Sequence, residues 1–136
     1  MFVADTGAVV ALLDREERNH RVLRALHAEA PDAWILPWAI LPEVDYLVQT
    51  QLGSRVQRLW LADLAGGRFA VEWGSRGDLT AALALAAKYA ALELGLVDAV
   101  VMTIAERLKA DIVTLDLRDF GAVTLKHAPR LLPRDL

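Results

Sequence analysis

The chain has 136 residues, 55% of them hydrophobic, no cysteine, and 15 Lys and Arg set against 18 Asp and Glu, a formal charge of −3. That is about one domain's length with ample apolar material for a core, which excludes a disordered chain. The missing cysteines exclude disulfides and thiolate metal sites, and the slightly acidic balance argues against a DNA binder that works by bulk charge.

No stretch reaches the roughly 18 apolar residues of a membrane span, since Lys88 and Glu93 interrupt the richest run. The opening Met1-Phe2-Val3-Ala4-Asp5 lacks the basic and apolar regions of a signal peptide. With no linker-like tract or internal repeat, a single cytoplasmic domain over residues 1–136 is expected.

Phe2 to Asp5 reads as a short strand, and Ala8 to Glu17 as a helix. Asn19 is placed to cap a second helix running to about Glu29. After the Pro31-Asp32 turn, Ala33 to Pro37 reads as a second strand. Pro42 suits the first turn of a helix that ends near Leu52, and Gly53-Ser54 restarts another that ends near Ala65. Arg68 to Trp73 is a third strand. Ser75-Arg76-Gly77-Asp78 has the form of a capping box, opening a long helix with Leu79, Leu83, Ala86, Ala90 and Leu94 on one face. Gly95 stops it, and Val97 to Leu108 carries a second apolar stripe at helical spacing. Asp111 to Asp116 is the strongest strand signal, and Val123 to Lys126 is expected to be the last strand.

Strands separated by helices imply parallel pairing and right-handed crossovers. The expected fold is a three-layer α/β sandwich with a central, mostly parallel sheet of four or five strands. In such sheets the site lies beyond the carboxyl ends of the strands. Asp5 and Asp116 end strands, while Glu43 and Asp98 sit in first turns of helices that follow strands. A helix start stabilises a carboxylate by about 0.3–1 kcal/mol. Four carboxylates converging there repel one another unless a cation intervenes, and an oxygen-preferring divalent ion such as Mg²⁺ suits them. The lack of cysteine and the wide spacing of His20, His27 and His127 argue against zinc.

These residues, in this order, resemble the PIN-domain ribonucleases, particularly the VapC-type toxins of toxin–antitoxin pairs. The resemblance rests on Val3-Ala4-Asp5-Thr6, Pro42-Glu43, Leu94-Gly95-Leu96-Val97-Asp98-Ala99 and the run from Ile112 to Phe120. Leu13 to His20 is similar to the family's first helix–helix junction, and the likeness extends from residue 1 to about 130. It implies an endoribonuclease dependent on Mg²⁺ or Mn²⁺, leaving a 5′-phosphate and a 3′-hydroxyl. Asp5, Glu43, Asp98 and Asp116 match the catalytic quartet, with Asp5, Asp98 and Asp116 as metal ligands. Thr6 and Thr114 match supporting hydroxyl positions, and Asp119 a further acidic one. Gly7 stands where members often carry serine. The implied partners are an RNA substrate and a cognate antitoxin.

Three rival readings need an answer. Asp5-Thr6-Gly7 spells the aspartic-protease signature, but there is no second copy and the helical pattern is wrong for that β-rich fold. A phospho-accepting receiver domain also gathers acids at strand ends, yet its regular alternation is broken by consecutive helices after Asp5 and around Gly53. A non-catalytic module of the same fold, binding an antitoxin or RNA, is the alternative that an intact quartet weighs against.

Basic residues near the expected site are Arg15 and Arg18 at the first helix junction, Arg118, and the C-terminal Lys126, Arg130 and Arg134. Of these, Arg118 is the candidate for touching substrate. Trp34, Trp38, Trp60 and Trp73 are expected in the core or an interface rather than stacked on bases. The apolar excess of the Leu79–Leu94 helix, with Leu85 and Leu92 off its stripe, points to a homodimer interface or a partner groove.

Overall fold

A computed structural model describes residues 1–136. Its five strands form one parallel sheet in the order β3-β2-β1-β4-β5, with β1 Phe2–Ala4, β2 Trp34–Pro37, β3 Ala70–Glu72, β4 Asp111–Val113 and β5 Leu131–Leu132. The helices are α1 Thr6–Leu13, α2 His20–Glu29, α3 Leu41–Leu52, α4 Ser54–Ala65, α5 Arg76–Lys88, α6 Leu96–Leu108 and α7 Leu117–Ala122.

Right-handed crossovers place the helices before β3 on one face and α5 and α6 on the other. The packing divides the same way: α1 lies against α2 and α3, α3 against α4, and α5 against α6. The central position of β1 follows from its residues, since Val3 and Ala4 are fully buried and leave no room for solvent on either side. It pairs through Val3 with Ile35 on β2 and with Ile112 on β4. The chain thus moves from β1 to one side, then returns across it to reach β4. This reversal leaves a crevice at the carboxyl ends of β1 and β4.

Helix α6 closes the layer above that crevice. Ala99 to Ala105 are all buried, so it is a central helix rather than an amphipathic one. One contiguous cluster of 31 buried hydrophobic residues joins it to both faces of the sheet. No helix is long and apolar enough to cross a membrane.

Four expectations need correction. Val123 to Lys126 is loop, and the edge strand is Leu131–Leu132, which bonds to β4 through Ile112 N–H to Arg130 O and Thr114 N–H to Leu132 O at 3.0 Å each. The residues before the loop form α7, too short to show a stripe.

The first helix starts at Thr6, because the Asp5 carboxylate takes the Thr6 N–H at 2.8 Å and so caps it, and stops at Leu13, where Asp14 turns extended. The long helix ends at Lys88, and a short 3₁₀ turn Ala90–Leu92 carries the chain to a left-handed Glu93. Its inward face also differs from the expected one: Leu79 and Leu83 are exposed, Leu83 at 72%, whereas Asp78 and Ala82 face inward. A helix this rich in Ala and Leu on all sides has no stripe for spacing to find.

Two tryptophans, Trp34 and Trp60, are core residues as expected; Trp38 is half-buried and Trp73 is 71% exposed.

Candidate active site

Asp5 leaves β1 at its carboxyl end and is only 6% exposed. Its backbone N–H still bonds β4 at Val113 O, 2.9 Å away, so the side chain is held by the sheet. Each carboxylate oxygen takes one hydrogen bond: Oδ1 from the Thr6 N–H at 2.8 Å, and Oδ2 from the Thr114 hydroxyl at 3.1 Å. Thr114, fully buried just beyond β4, also accepts the Asp116 N–H on its Oγ1 at 3.0 Å. One hydroxyl therefore ties the two strand ends together.

Asp116 caps α7, its Oδ1 accepting the Asp119 N–H at 3.1 Å. Asp98 stands in the first turn of α6, behind Gly95. Carboxylate oxygens of Asp98, Asp116 and Asp119 lie within 4.8 Å of one another. Asp119 Oδ1 is buried without a hydrogen-bond partner. Glu43 is exposed in the first turn of α3, and its charge reaches both Asp5 and Asp98.

The electrostatics follow from this crowding. Burial pushes Asp5 up from 3.8 to about 6, against the opposing pull of its Thr6 and Thr114 hydrogen bonds; the charges of Asp116 and Glu43 raise it further. Asp98 also rises to about 6, through burial first and then the charges of Asp5, Asp116, Asp119 and Glu43. The donor set is all oxygen, a trio of carboxylates is within reach of one ion, and one buried oxygen is unpaired. Those features fit a hard divalent cation, which relieves the repulsion without protonating a carboxylate.

All of the acidic candidates thus lie at one edge of the sheet. Asp119, expected only to support, stands within 4.8 Å of both Asp98 and Asp116. Its Asp-x-x-Asp spacing from Asp116 was the available signal, because a helix cap and its third residue face the same crevice. Thr6 differs from expectation, since it serves through its backbone N–H and its hydroxyl is buried without a partner. At Gly7 an added Cβ would meet nothing within 4 Å, so packing does not require glycine there. Arg118 is exposed and makes no ion pair.

His20, by contrast, is structural: its Nδ1 donates to Ala11 O at 2.9 Å and joins the end of α1 to α2. Asn19 precedes α2 without capping it, its side chain turning instead to Glu17.

Thr114→Val keeps the shape and deletes the shared hydroxyl. It is expected to cost about 1–3 kcal/mol in urea unfolding, since Asp5 Oδ2 loses its donor and the Asp116 N–H its acceptor. An unchanged midpoint would mean that water replaces the hydroxyl at both.

A doubly crossed parallel sheet with a carboxylate cluster at its switch point defines a class of protein, and sequence comparison identifies it. The profile of the PIN domain matches residues 2–124, and the chain belongs to that family. It is 30% identical over 123 residues to Ribonuclease VapC26 of Mycobacterium tuberculosis, covering 90% of this chain and 91% of that protein. The fold superposes on the crystal structure of Mycobacterium tuberculosis VapC20, described as a sarcin–ricin loop cleaving toxin, with a TM-score of 0.80 and 17% identity. That match covers 93% of this chain and 98% of the other. A chain of a toxin–antitoxin complex from Klebsiella pneumoniae aligns with a TM-score of 0.68 and 19% identity over 90% of this chain and 92% of that one.

Proposed function

We propose that the protein is a single-domain, cytoplasmic endoribonuclease that hydrolyses RNA phosphodiester bonds with Mg²⁺ or Mn²⁺, acting as the toxin of a toxin–antitoxin pair. The observation that carries this reading is the convergence of Asp5, Glu43, Asp98, Asp116 and Asp119 at one sheet edge in a PIN-family chain. The identity to a ribonuclease over nearly the whole length supports the reaction, and the toxin–antitoxin complex among the similar structures supports the partner.

Asp98, Asp116 and Asp119 would hold the cation. When bound, it supplies positive charge against the phosphodiester and the negative charge that develops on it. Asp5 completes the acidic wall, oriented by Thr6 and Thr114, and Glu43 closes it from α3. Arg118 is the exposed cation nearest in sequence to the cluster and serves RNA binding in this reading. Exposed Leu79, Leu83 and Leu96 line an apolar groove, which supports an assembly surface for a second copy or the antitoxin.

The test is cleavage of a panel of structured and single-stranded RNAs with Mg²⁺, Mn²⁺ or EDTA. Cuts that need the metal support the reading. A folded protein that binds metal yet cuts no RNA would refute it.

A second expectation concerns pH. The folded-state carboxyls of Asp5 and Asp98 titrate near 6, above the 3.8 of an unperturbed aspartate. Between those values the folded chain therefore holds more protons than the unfolded one. Without metal, their contribution to stability is greatest below about pH 4, falls as pH rises towards 6, and is flat above. Asp5 alone accounts for about 3 kcal/mol of that fall, and half-open Asp98 for less. Saturating Mg²⁺ or Mn²⁺ is thus expected to raise Tm by several degrees at pH 7.5 and hardly at all at pH 5. Equal shifts at both pH values would show that metal binds elsewhere.

A further inference from the structure

Beside the acidic centre lies a cleft of about 330 Å³, between the α1–α2 junction, the segment after β4 and the C-terminal segment. Thr114 belongs to both places. It lines this cleft, and its hydroxyl is 3.1 Å from Asp5 Oδ2. A single side chain thus separates the cleft from Asp5.

The walls differ in chemistry. The α1–α2 junction contributes Arg18 and Asn19, the segment after β4 contributes Leu115 and Leu117 beside Thr114, and the C-terminal segment contributes Pro133 and Arg134. Arg134 is neutralised by Asp135, at 2.7 Å from Nε and 2.9 Å from the second nitrogen. Arg18 is exposed and has neither an ion pair nor a side-chain hydrogen bond, although it shares this cleft with the threonine that bonds Asp5. It is the one uncommitted positive charge in the cleft.

We infer that this cleft is the subsite for the nucleotide adjacent to the cleaved bond, with Arg18 holding its phosphate. The inference rests on the RNA-cleaving reading and extends it to residues outside the carboxylate cluster. The carboxylates repel a polyanion, so a substrate needs a cation close by but not among them. Leu115, Leu117 and Pro133 carry no side-chain group that reads a base edge, so their wall positions the strand without selecting its sequence. Arg18 is therefore a positioning residue.

The experiment measures binding of two single-stranded RNA oligonucleotides of unrelated sequence to Asp98→Asn protein in Mg²⁺, from 50 to 200 mM KCl. Adding Arg18→Ala is expected to raise Kd by about 10-fold for both RNAs and to lower the log–log salt slope by about 0.7, the value of one phosphate contact on a single strand. Arg18→Lys keeps the charge and restores the slope, while Arg58→Ala, on α4, leaves it unchanged. In the active protein, Arg18→Ala is expected to raise KM by a similar factor with kcat within about 2-fold.

An unaltered Kd and slope, with the parent still binding RNA, overturns the subsite and leaves the nuclease reading standing. A fall in kcat with KM unchanged overturns it too. A parent that neither binds nor cuts RNA overturns both. Because Arg18 is exposed and unbonded, the variant should melt with the parent, and a lower Tm would assign Arg18 to folding instead.

Discussion

Asp98→Asn is expected to cut RNA at least about 100-fold more slowly than the parent and, in EDTA at pH 7.5, to melt at a higher temperature. The two effects have one cause. Asp98 is surrounded by Asp5, Asp116, Asp119 and Glu43, and their charges add to burial in opposing its ionisation. An amide of the same shape removes the repulsion and with it one of three negative charges close enough to share an ion. Activity and stability then move in opposite directions, as they do where a fold tolerates strain for its chemistry. Asp5→Asn should lose comparable activity with little gain in Tm. Both its oxygens accept hydrogen bonds, and an amide offers one acceptor where two are needed. Asp98→Asn that cuts at the parental rate would remove it from the site.

The second large effect lies away from the carboxylate cluster. Asp78 is 4% exposed, and its two oxygens take the Arg107 Nε at 2.8 Å and a terminal nitrogen at 2.9 Å. The same guanidinium reaches Glu72 at 2.9 Å, and Glu72 in turn accepts the Gly74 N–H at 3.0 Å. Asp78 also accepts the Ser75 N–H at 3.1 Å, which fastens the start of α5.

Arg107→Met leaves this buried carboxylate without its cation. The expected cost in urea unfolding is about 2–4 kcal/mol, set towards the lower end because the arginine itself is 40% exposed. Asp78→Asn retains an acceptor and should cost less. A loss under about 0.5 kcal/mol for Arg107→Met would mean that water solvates Asp78 once the arginine is gone. The metal-dependent rise in Tm should survive in either variant, since neither residue belongs to the carboxylate cluster.

These two regions were not equally legible in the sequence. The acidic centre could be read because each carboxylate stands at a junction that local rules mark: after Phe2-Val3-Ala4, behind Pro42, behind Gly95, and after the Asp111–Leu115 run. Parallel topology then brings those junctions to one edge. Asp78 was legible as a helix cap, but its burial was not, because that depends on Arg107, 29 residues on and on another helix.

The last strand was missed for a similar reason. Val123 to Lys126 has the better local propensity, yet the edge of β4 is taken by Leu131 and Leu132, two residues whose conformation is set by their partners Ile112 and Val113. On α5, an apolar surface all round left the inward face undetermined until α6 was placed against it.

The bond from Thr114 to Asp5 spans 109 residues of chain. Asp5 and Glu43 belong to the first half of the sequence, and Asp98, Asp116 and Asp119 to the last third. No fragment shorter than residues 5–119 carries the whole cluster, and closing a loop on that scale carries an entropy cost that local contacts do not. A chain caught partway through synthesis, with only its first two carboxylates emerged, has no complete centre, so any damage it does to RNA begins only after Asp119 has been made and packed beside Asp98.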